Sequence, residues 1–406
     1  MSQESKSKSH YKSENMKLTK HTTIGVIGTG TMGTGIAQVA ATAGHKVLMY
    51  DKKEEALLKA RHSLVKIMNR LVEKGKYSQG EADTILSRIE YVDGLSRFEG
   101  CGMVIEAVIE NIDVKTQIFH QLESVTNNDC ILATNTSSLS IASIAAAVKN
   151  KQNVIGVHFF NPAPLMKLVE IIPSMATDSK VTNATRDLIK DWGKVTVIAK
   201  DTPGFIVNRV ARPFYGESLK MLEEGVADVA TIDWALKDLG GFKMGPFELT
   251  DLIGHDVNYT VTETVWTQMY YDPRYKPSIT QKRLKELGHY GRKTGQGFYN
   301  HEDNGQNPAP EKDEALGKYI LNRVVVMLIN EAVDAVFLNI ATQEDIDLAM
   351  TKGVNYPKGL LKWANELGLE WVQEQLEDLH DHFGDDRYRP SPLLKKMVKE
   401  QRLFHY

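Results

Sequence analysis

The chain has 406 residues, 42% of them hydrophobic, and a formal net charge of −3. That length and balance predict a globular chain of two or three domains and give no sign of a nucleic-acid partner. Two cysteines, Cys101 and Cys130, are too few for a disulfide framework and point to a reducing, cytoplasmic setting, and no apolar run approaches the roughly 20 residues of a membrane span. Residues 1–21, rich in serine and lysine, lack a secretory hydrophobic core and any arginine, so they read as a disordered extension with a second usable start at Met16.

The next thirty residues read as strand, glycine turn, helix, strand. Ile24-Gly25-Val26-Ile27 leads into Gly28-Thr29-Gly30-Thr31-Met32-Gly33, a small-residue helix follows to Ala43, and a second strand ends at Asp51. This order is that of a dinucleotide-binding unit. Gly28 permits the tight turn, Gly30 lets the backbone approach a pyrophosphate, and Gly33 allows close packing, while Thr31 and Met32 open the helix whose N-terminus faces the phosphates. Asp51 suits the ribose hydroxyls and repels a 2′-phosphate, which favours NAD over NADP, although Lys52 and Lys53 beside it pull the other way.

Further strands are predicted over 103–107, 131–135, 154–159, 168–172 and 195–198, with helices between several of them. The alternation predicts an α/β, Rossmann-like unit with a mostly parallel sheet over 22–200, and ligands collect beyond the carboxyl ends of such strands. Those ends carry Glu106 to Glu110, Asn135 to Ser138, and His158. Two plainer readings stand beside this convergence: Glu110 and Lys115 as a helix-surface pair, and Asn135 to Ser138 as a cap for a helix starting near Leu139.

Within Asn153 to Ile172, His158 and Glu170 lie in two apolar strand-like runs joined by a turn containing Pro162 and Pro164. A carboxylate among Leu168, Val169, Ile171 and Ile172 is desolvated at high cost unless a partner meets it, and His158 is the nearest candidate. A glutamate on one imidazole nitrogen fixes the tautomer and makes the other a better general base. A buried ion pair with a purely structural role is the competing reading.

After Lys200 the alternation stops at Asp201-Thr202-Pro203-Gly204-Phe205, and the rest has a helical pattern containing a duplication. Asn208-Arg209-Val210 with Glu217 returns as Asn322-Arg323-Val324 with Glu331, Ile232-Asp233 as Ile346-Asp347, and the Arg-Tyr-x-Pro-Ser string at 274–278 as that at 387–391. Two tandem all-α domains are therefore expected, 201–300 and 315–406, each covering an apolar face of the other, with 301–314 as linker. Only the first copy follows the nucleotide unit directly, so Asn208 is expected to face the crevice and Asn322 to be structural.

Taken together, GTGTMG, EAVIEN, NTSSLSI, HFFNPAPLMKLVEII, DTPGFIVNR, MGPFELTDLIG and GRKTGQGFY resemble the 3-hydroxyacyl-CoA dehydrogenase family, particularly its 3-hydroxybutyryl-CoA members, over residues 22–299. The resemblance implies NAD-dependent, reversible oxidation of an L-3-hydroxyacyl-CoA of short chain to the 3-ketoacyl-CoA. It gives His158 the general-base role, Glu170 the orienting one, and to Ser137 and Asn208 the oxygen at the reacting carbon. Asn161 is implied at the acyl-CoA site, while Gly28, Gly30, Gly33, Asp51, Glu110, Lys115, Asn135 and Lys293 are implied on the cofactor side. No metal is called for. Where relatives present serine and lysine to CoA, this chain has Ala60-Arg61-His62-Ser63-Leu64-Val65-Lys66, so individual CoA contacts stay unassigned there. Single-copy relatives dimerise through the helical domain, which implies either a homodimer or an intramolecular pseudo-dimer. Two other functions share the nucleotide fold: a dehydrogenase of a free hydroxy acid such as gulonate, and a catalytically silent dinucleotide-binding protein.

Overall fold

The computed structural model describes residues 18–303 and 305–405. Residues 1–17 of the predicted disordered extension lie outside these, but its last four residues do not follow the expectation. Thr22 donates its N–H to the Thr19 carbonyl and Leu18 packs against the core, so the ordered chain starts before His21.

Eight strands form one sheet in the order β3-β2-β1-β4-β5-β6-β7-β8. They are β1 Ile24–Ile27, β2 Val47–Tyr50, β3 Ile89–Tyr91, β4 Met103–Glu106, β5 Ile131–Thr134, β6 Val154–Phe159, β7 Leu168–Pro173 and β8 Val195–Ile198. Every neighbouring pair is parallel except β6 and β7. Short, almost wholly apolar runs suit strands covered on both faces, which is where β1, β4, β5 and β6 lie. The short edge strand β3 was not expected, because Ile-Glu-Tyr carries no apolar run.

On one face the helix Thr31–Thr42 sets Ile36 against the sheet, and the helix Glu54–Glu73 adds Leu64 and Met68 to the same apolar cluster. On the other, Phe119, Leu122 and Ile144 belong to an apolar cluster that continues through Phe205, Phe214, Val324 and Trp363. The all-helical C-terminal region is thus packed onto one face of the sheet. The second copy also caps its edge: Lys200 of the chain leaving β8 donates to the Ile340 carbonyl, and Ile198 N–H to Asp345 Oδ2 at 3.1 Å.

The two helical copies grip one another reciprocally. Arg209 Nε donates to Glu331 Oε1 at 2.7 Å, and Arg323 Nε to Glu217 Oε1 at 2.6 Å. The tyrosines follow suit, Tyr275 donating to Glu331 and Tyr388 to Glu217. Each copy also closes a helix start on an aspartate: Asp233 accepts the N–H groups of Phe247 and Glu248, and Asp347 those of Leu361 and Lys362. Gly245 and Gly359 precede those helices because a Cβ there would fall 2.3 and 2.1 Å from the respective carboxyls. The described residues of 301–310 form no helix or strand, yet the stretch is anchored at its start, with His301 Nε2 lying 2.8 Å from Asp251 Oδ2.

Candidate active site

β6 and β7 run antiparallel with His158 opposite Glu170, so the two side chains share a face of the sheet. His158 Nδ1 lies 2.7 Å from Glu170 Oε2. The other carboxylate oxygen accepts the N–H groups of Ile206 and Val207 at 3.0 and 2.9 Å. Both oxygens are therefore engaged, which compensates a carboxylate with no exposed surface. The Asp-Thr-Pro-Gly-Phe break makes this geometry: Gly204 and Phe205 both take positive φ, 75° and 47°, and turn the following amides back toward Glu170. Phe160 and Phe205 flank the imidazole with ring centres 4.5 and 5.9 Å away, which keeps that side apolar. Among the described residues nothing is hydrogen-bonded to His158 Nε2.

The helix Val207–Val210 begins at those same amides and carries Asn208, whose Nδ2 donates to the Ser137 carbonyl at 3.4 Å. Asn208, Ser137, His158 and Glu170 are thus linked across the junction of sheet and helical region. Asn322 lies in the long helix Glu314–Phe337, which packs on the first copy.

Behind Ser137 is a carboxylate network that corrects two plainer readings. Glu110 Oε1 accepts the hydroxyl of Thr136 at 2.5 Å, the N–H groups of Ser137 and Ser138 at 2.9 and 3.1 Å, and the Ser138 hydroxyl at 3.0 Å. Lys115 is no helix-surface partner. It is buried, 2.7 Å from Glu106 and 3.3 Å from Glu110. Nor is Ser137 a helix cap, since the next helix, Ile141–Ala145, is capped by Ser140. Burial opposes the charge on Glu110, but Lys115, Thr136, Ser137 and Ser138 outweigh it and hold the carboxyl below its usual range. Asn135 Oδ1 accepts the Phe159 N–H at 2.8 Å, tying the end of β5 to the end of β6.

Glu106 and Thr136 were not singled out from sequence. Glu106 is wholly buried and accepts from Val108 N–H, Lys115 Nζ and the Thr134 hydroxyl. Its signal was present: a lone acid closing the apolar run Met103-Val104-Ile105.

At the other end of the sheet's carboxyl edge, the glycine loop lines a cavity of about 1350 Å³ with Asp51, Lys53, Lys59, Ser63, Arg70 and Lys74. Gly28 has φ +90°, and a Cβ there would meet the Ala107 carbonyl at 2.6 Å. At Gly30 a Cβ would meet nothing, so the helix start has open space before it. That helix, Thr31–Thr42, has no side-chain cap and no acid in its first turn, which leaves its amides for an anion. Asp51 Oδ2 accepts from Thr29 N–H and hydroxyl, and Oδ1 from Lys53 N–H, so the acid also braces the loop it was expected only to follow. Met32 is half-buried against the core and Gly33 is buried against the Gly28 carbonyl. These residues fit a dinucleotide. Asn161 is exposed in the turn between β6 and β7, at a cis Asn161–Pro162 bond. Lys293, from the first copy's end, pairs with Asp256 at 2.6 Å.

Residues 23–202 match the profile of the 3-hydroxyacyl-CoA dehydrogenase NAD binding domain, and residues 204–301 and 319–405 match that of the same family's C-terminal domain. The chain belongs to the 3-hydroxyacyl-CoA dehydrogenase family. It is an NAD-dependent oxidoreductase of 3-hydroxyacyl-CoA thioesters, with an NAD-binding domain followed by two matches to one helical domain. It is 38% identical to a 3-hydroxyadipyl-CoA dehydrogenase of Escherichia coli K12, over 92% of this chain and 97% of that one. It superposes with a TM-score of 0.89 on the crystal structure of a 3-hydroxybutyryl-CoA dehydrogenase from Escherichia coli K12, at 36% identity over 94% of this chain and 98% of that one. An (S)-3-hydroxybutyryl-CoA dehydrogenase from Ralstonia eutropha, also 36% identical, is matched over 99% of its length by 69% of this chain, with a TM-score of 0.67. Among the described residues no helix is long and apolar enough to cross a membrane.

Proposed function

We propose that the chain oxidises short-chain L-3-hydroxyacyl-CoA thioesters, of the 3-hydroxybutyryl kind, with His158 as the base at the 3-hydroxyl. The observation that carries this reading is the carboxylate of Glu170, filled by two backbone amides on one oxygen and by His158 Nδ1 on the other. Glu170 holds the proton at Nδ1, so Nε2 is the nitrogen that takes the substrate's hydroxyl proton, and the imidazolium formed is stabilised by the buried charge. Asn208 and Ser137 supply donors to the oxygen at the reacting carbon, and Asn161 borders the acyl-CoA side. Bound NAD supplies the hydride acceptor. It is held by Gly28, Gly30, Thr31, Met32, Gly33 and Asp51 at the glycine loop, and by Glu110, Lys115, Asn135 and Lys293 toward the helical region. Glu110 and Lys115 act by fixing the 136–138 turn that presents Ser137. In the return direction His158 gives the proton back.

The test is NADH formation from (S)-3-hydroxybutyryl-CoA, set against free 3-hydroxybutyrate and gulonate. H158A and E170Q are expected to lower turnover by about 10² to 10⁴ while NADH binding persists. Loss of cofactor binding in both variants, or turnover of the free acids alone, would contradict the assignment.

We further propose units of 22–200, 201–300 and 315–406 joined through 301–314, a cytoplasmic setting, and an intramolecular pseudo-dimer in which the second copy stands where a single-copy relative has its partner. The reciprocal Arg209–Glu331 and Arg323–Glu217 pairs support this, since an isologous contact repeats each interaction under exchange of the halves. Light scattering should then give a monomer for the full chain and self-association for a chain ending at His301.

A further inference from the structure

The buried arginines of the helical region come with carboxylates, with one exception. Arg209 meets Glu331, Arg274 meets Asp334 and Glu331, Arg323 meets Glu217 and Glu224, and Arg387 lies 3.8 Å from Glu217. Arg212, only 6% exposed, has no carboxylate within 4.0 Å among the described residues. Its Nη1 donates to the Thr262 hydroxyl at 3.0 Å, and its guanidinium carbon sits 4.9 Å from the centre of the Tyr215 ring. Among the described residues its Nε has no acceptor, and the nearby Tyr356 hydroxyl is likewise buried without a partner. Burial lowers the pKa of this guanidinium from its ordinary value, and only Tyr215 and Tyr356 oppose that.

The fold does not require a cation at this place. In the register that matches Asn208-Arg209-Val210 to Asn322-Arg323-Val324, Arg212 corresponds to Val326 and Tyr215 to Ile329, both fully buried. A desolvated guanidinium with an idle donor is costly unless an anion completes it. The second copy shows that evolution of this unit had an apolar solution to hand.

Its position says which anion. Arg212 lies one helical turn beyond Asn208, and Ala211 between them keeps helical torsions, φ −81° and ψ −8°, so the two side chains leave the same side of the helix. Asn208 reaches Ser137 at the reacting end of the site. From the reacting carbon of a six-carbon chain to its far carboxyl carbon are three bonds of about 1.5 Å each. That span is a little less than the ~5.4 Å of one helical turn. We propose that Arg212 receives the terminal carboxylate of a dicarboxylic 3-hydroxyacyl-CoA of about six carbons, through the forked pairing that guanidinium and carboxylate favour. The proposal rests on the assignment of His158 and Asn208 to the reacting end. It narrows the substrate class from short acyl chains to short chains ending in an acid.

The experiment compares kcat/KM for 3-hydroxyadipyl-CoA with that for 3-hydroxyhexanoyl-CoA, which has the same length and a methyl end. The native enzyme should favour the diacid by about a hundredfold, R212V should bring the ratio to within about threefold of unity, and R212K should fall between, since it keeps the charge and loses the fork. Preference of the native enzyme for the hexanoyl thioester overturns the proposal, as does an R212V ratio equal to the native one. If R212V does not fold, the native ratio and R212K decide alone by the same criteria. No NAD-linked turnover of either thioester overturns the dehydrogenase reading itself and this proposal with it.

Discussion

The two helical copies use one register for two purposes. In both, the arginine of an Asn-Arg-Val helical turn reaches the other copy's glutamate, and an aspartate caps a later helix start. They part where they meet the nucleotide domain. The first copy sets Asn208 beside Ser137 and carries Arg212, where the second has Val326. The second has Asp345 on the edge strand β8, where the first has Thr231. The arginines, glutamates and aspartates that both copies keep hold the helical region together, and the copies differ in what they set against the nucleotide domain, Asn208 from the first and Asp345 from the second.

The sharpest way to break that comparison is to cut each reciprocal pair in turn. E331Q leaves buried Arg209 without its carboxylate and should cost about 3–5 kcal/mol of stability, measured by urea unfolding, whereas E217Q leaves Arg323 its second carboxylate, Glu224, and should cost less. The copies should differ in catalysis. Glu331 holds Arg209, the neighbour of Asn208, in the turn whose amides grip Glu170. Turnover should therefore fall about tenfold to a hundredfold in E331Q and stay near native in E217Q, each assayed where it is folded. Equal losses of turnover would mean that the second copy serves the site only through general stability.

A somewhat smaller effect is expected when the paired asparagines are exchanged for alanine. N208A removes the donor proposed for the reacting oxygen and should lower kcat by about 10² to 10³ with little change in NADH affinity. N322A should keep kcat within about twofold. If N322A is the more damaged enzyme, the division between working and supporting copies is reversed.

Much of this was legible in the sequence because it rests on short-range rules. The glycine loop, the Asp51 terminus and the proline turn between His158 and Glu170 each have a local signature, and β6–β7 pairing puts His158 and Glu170 opposite one another. The duplication was visible as spacing. What sequence did not reveal is where long-range partners meet. Lys115 looked like a surface residue because Glu110, five residues earlier, offers a nearby charge, whereas the shorter ion pair, to the wholly buried Glu106, is made at the end of a strand. Asp51 was read as a ribose ligand alone, since nothing local tells that its second task is holding Thr29. Nor does spacing say that Arg212 has no acid beside it among the described residues, because the identity of an ion-pair partner depends on how helices far apart in sequence pack.

The smallest effect concerns the capping aspartates and is read through pH. Burial pushes the Asp233 carboxyl up to about 7, against the pull of the Phe247 and Glu248 amides and the Tyr299 hydroxyl. A carboxyl whose folded pKa is raised binds a proton in the native state where the unfolded chain has lost it. Stability should therefore fall as pH rises from the unfolded value near 4 to about 7, and level off above. Within that window one such proton contributes at most about 1.4 kcal/mol per pH unit. D233N has no proton to lose and should be flatter than the native chain between pH 5 and pH 7, although less stable throughout because its NH2 group cannot accept where the second carboxyl oxygen does. Urea unfolding of the two chains at several pH values measures this slope directly. A D233N curve parallel to the native one would show that Asp233 is ionised across the whole range, with the two amides and Tyr299 outweighing burial.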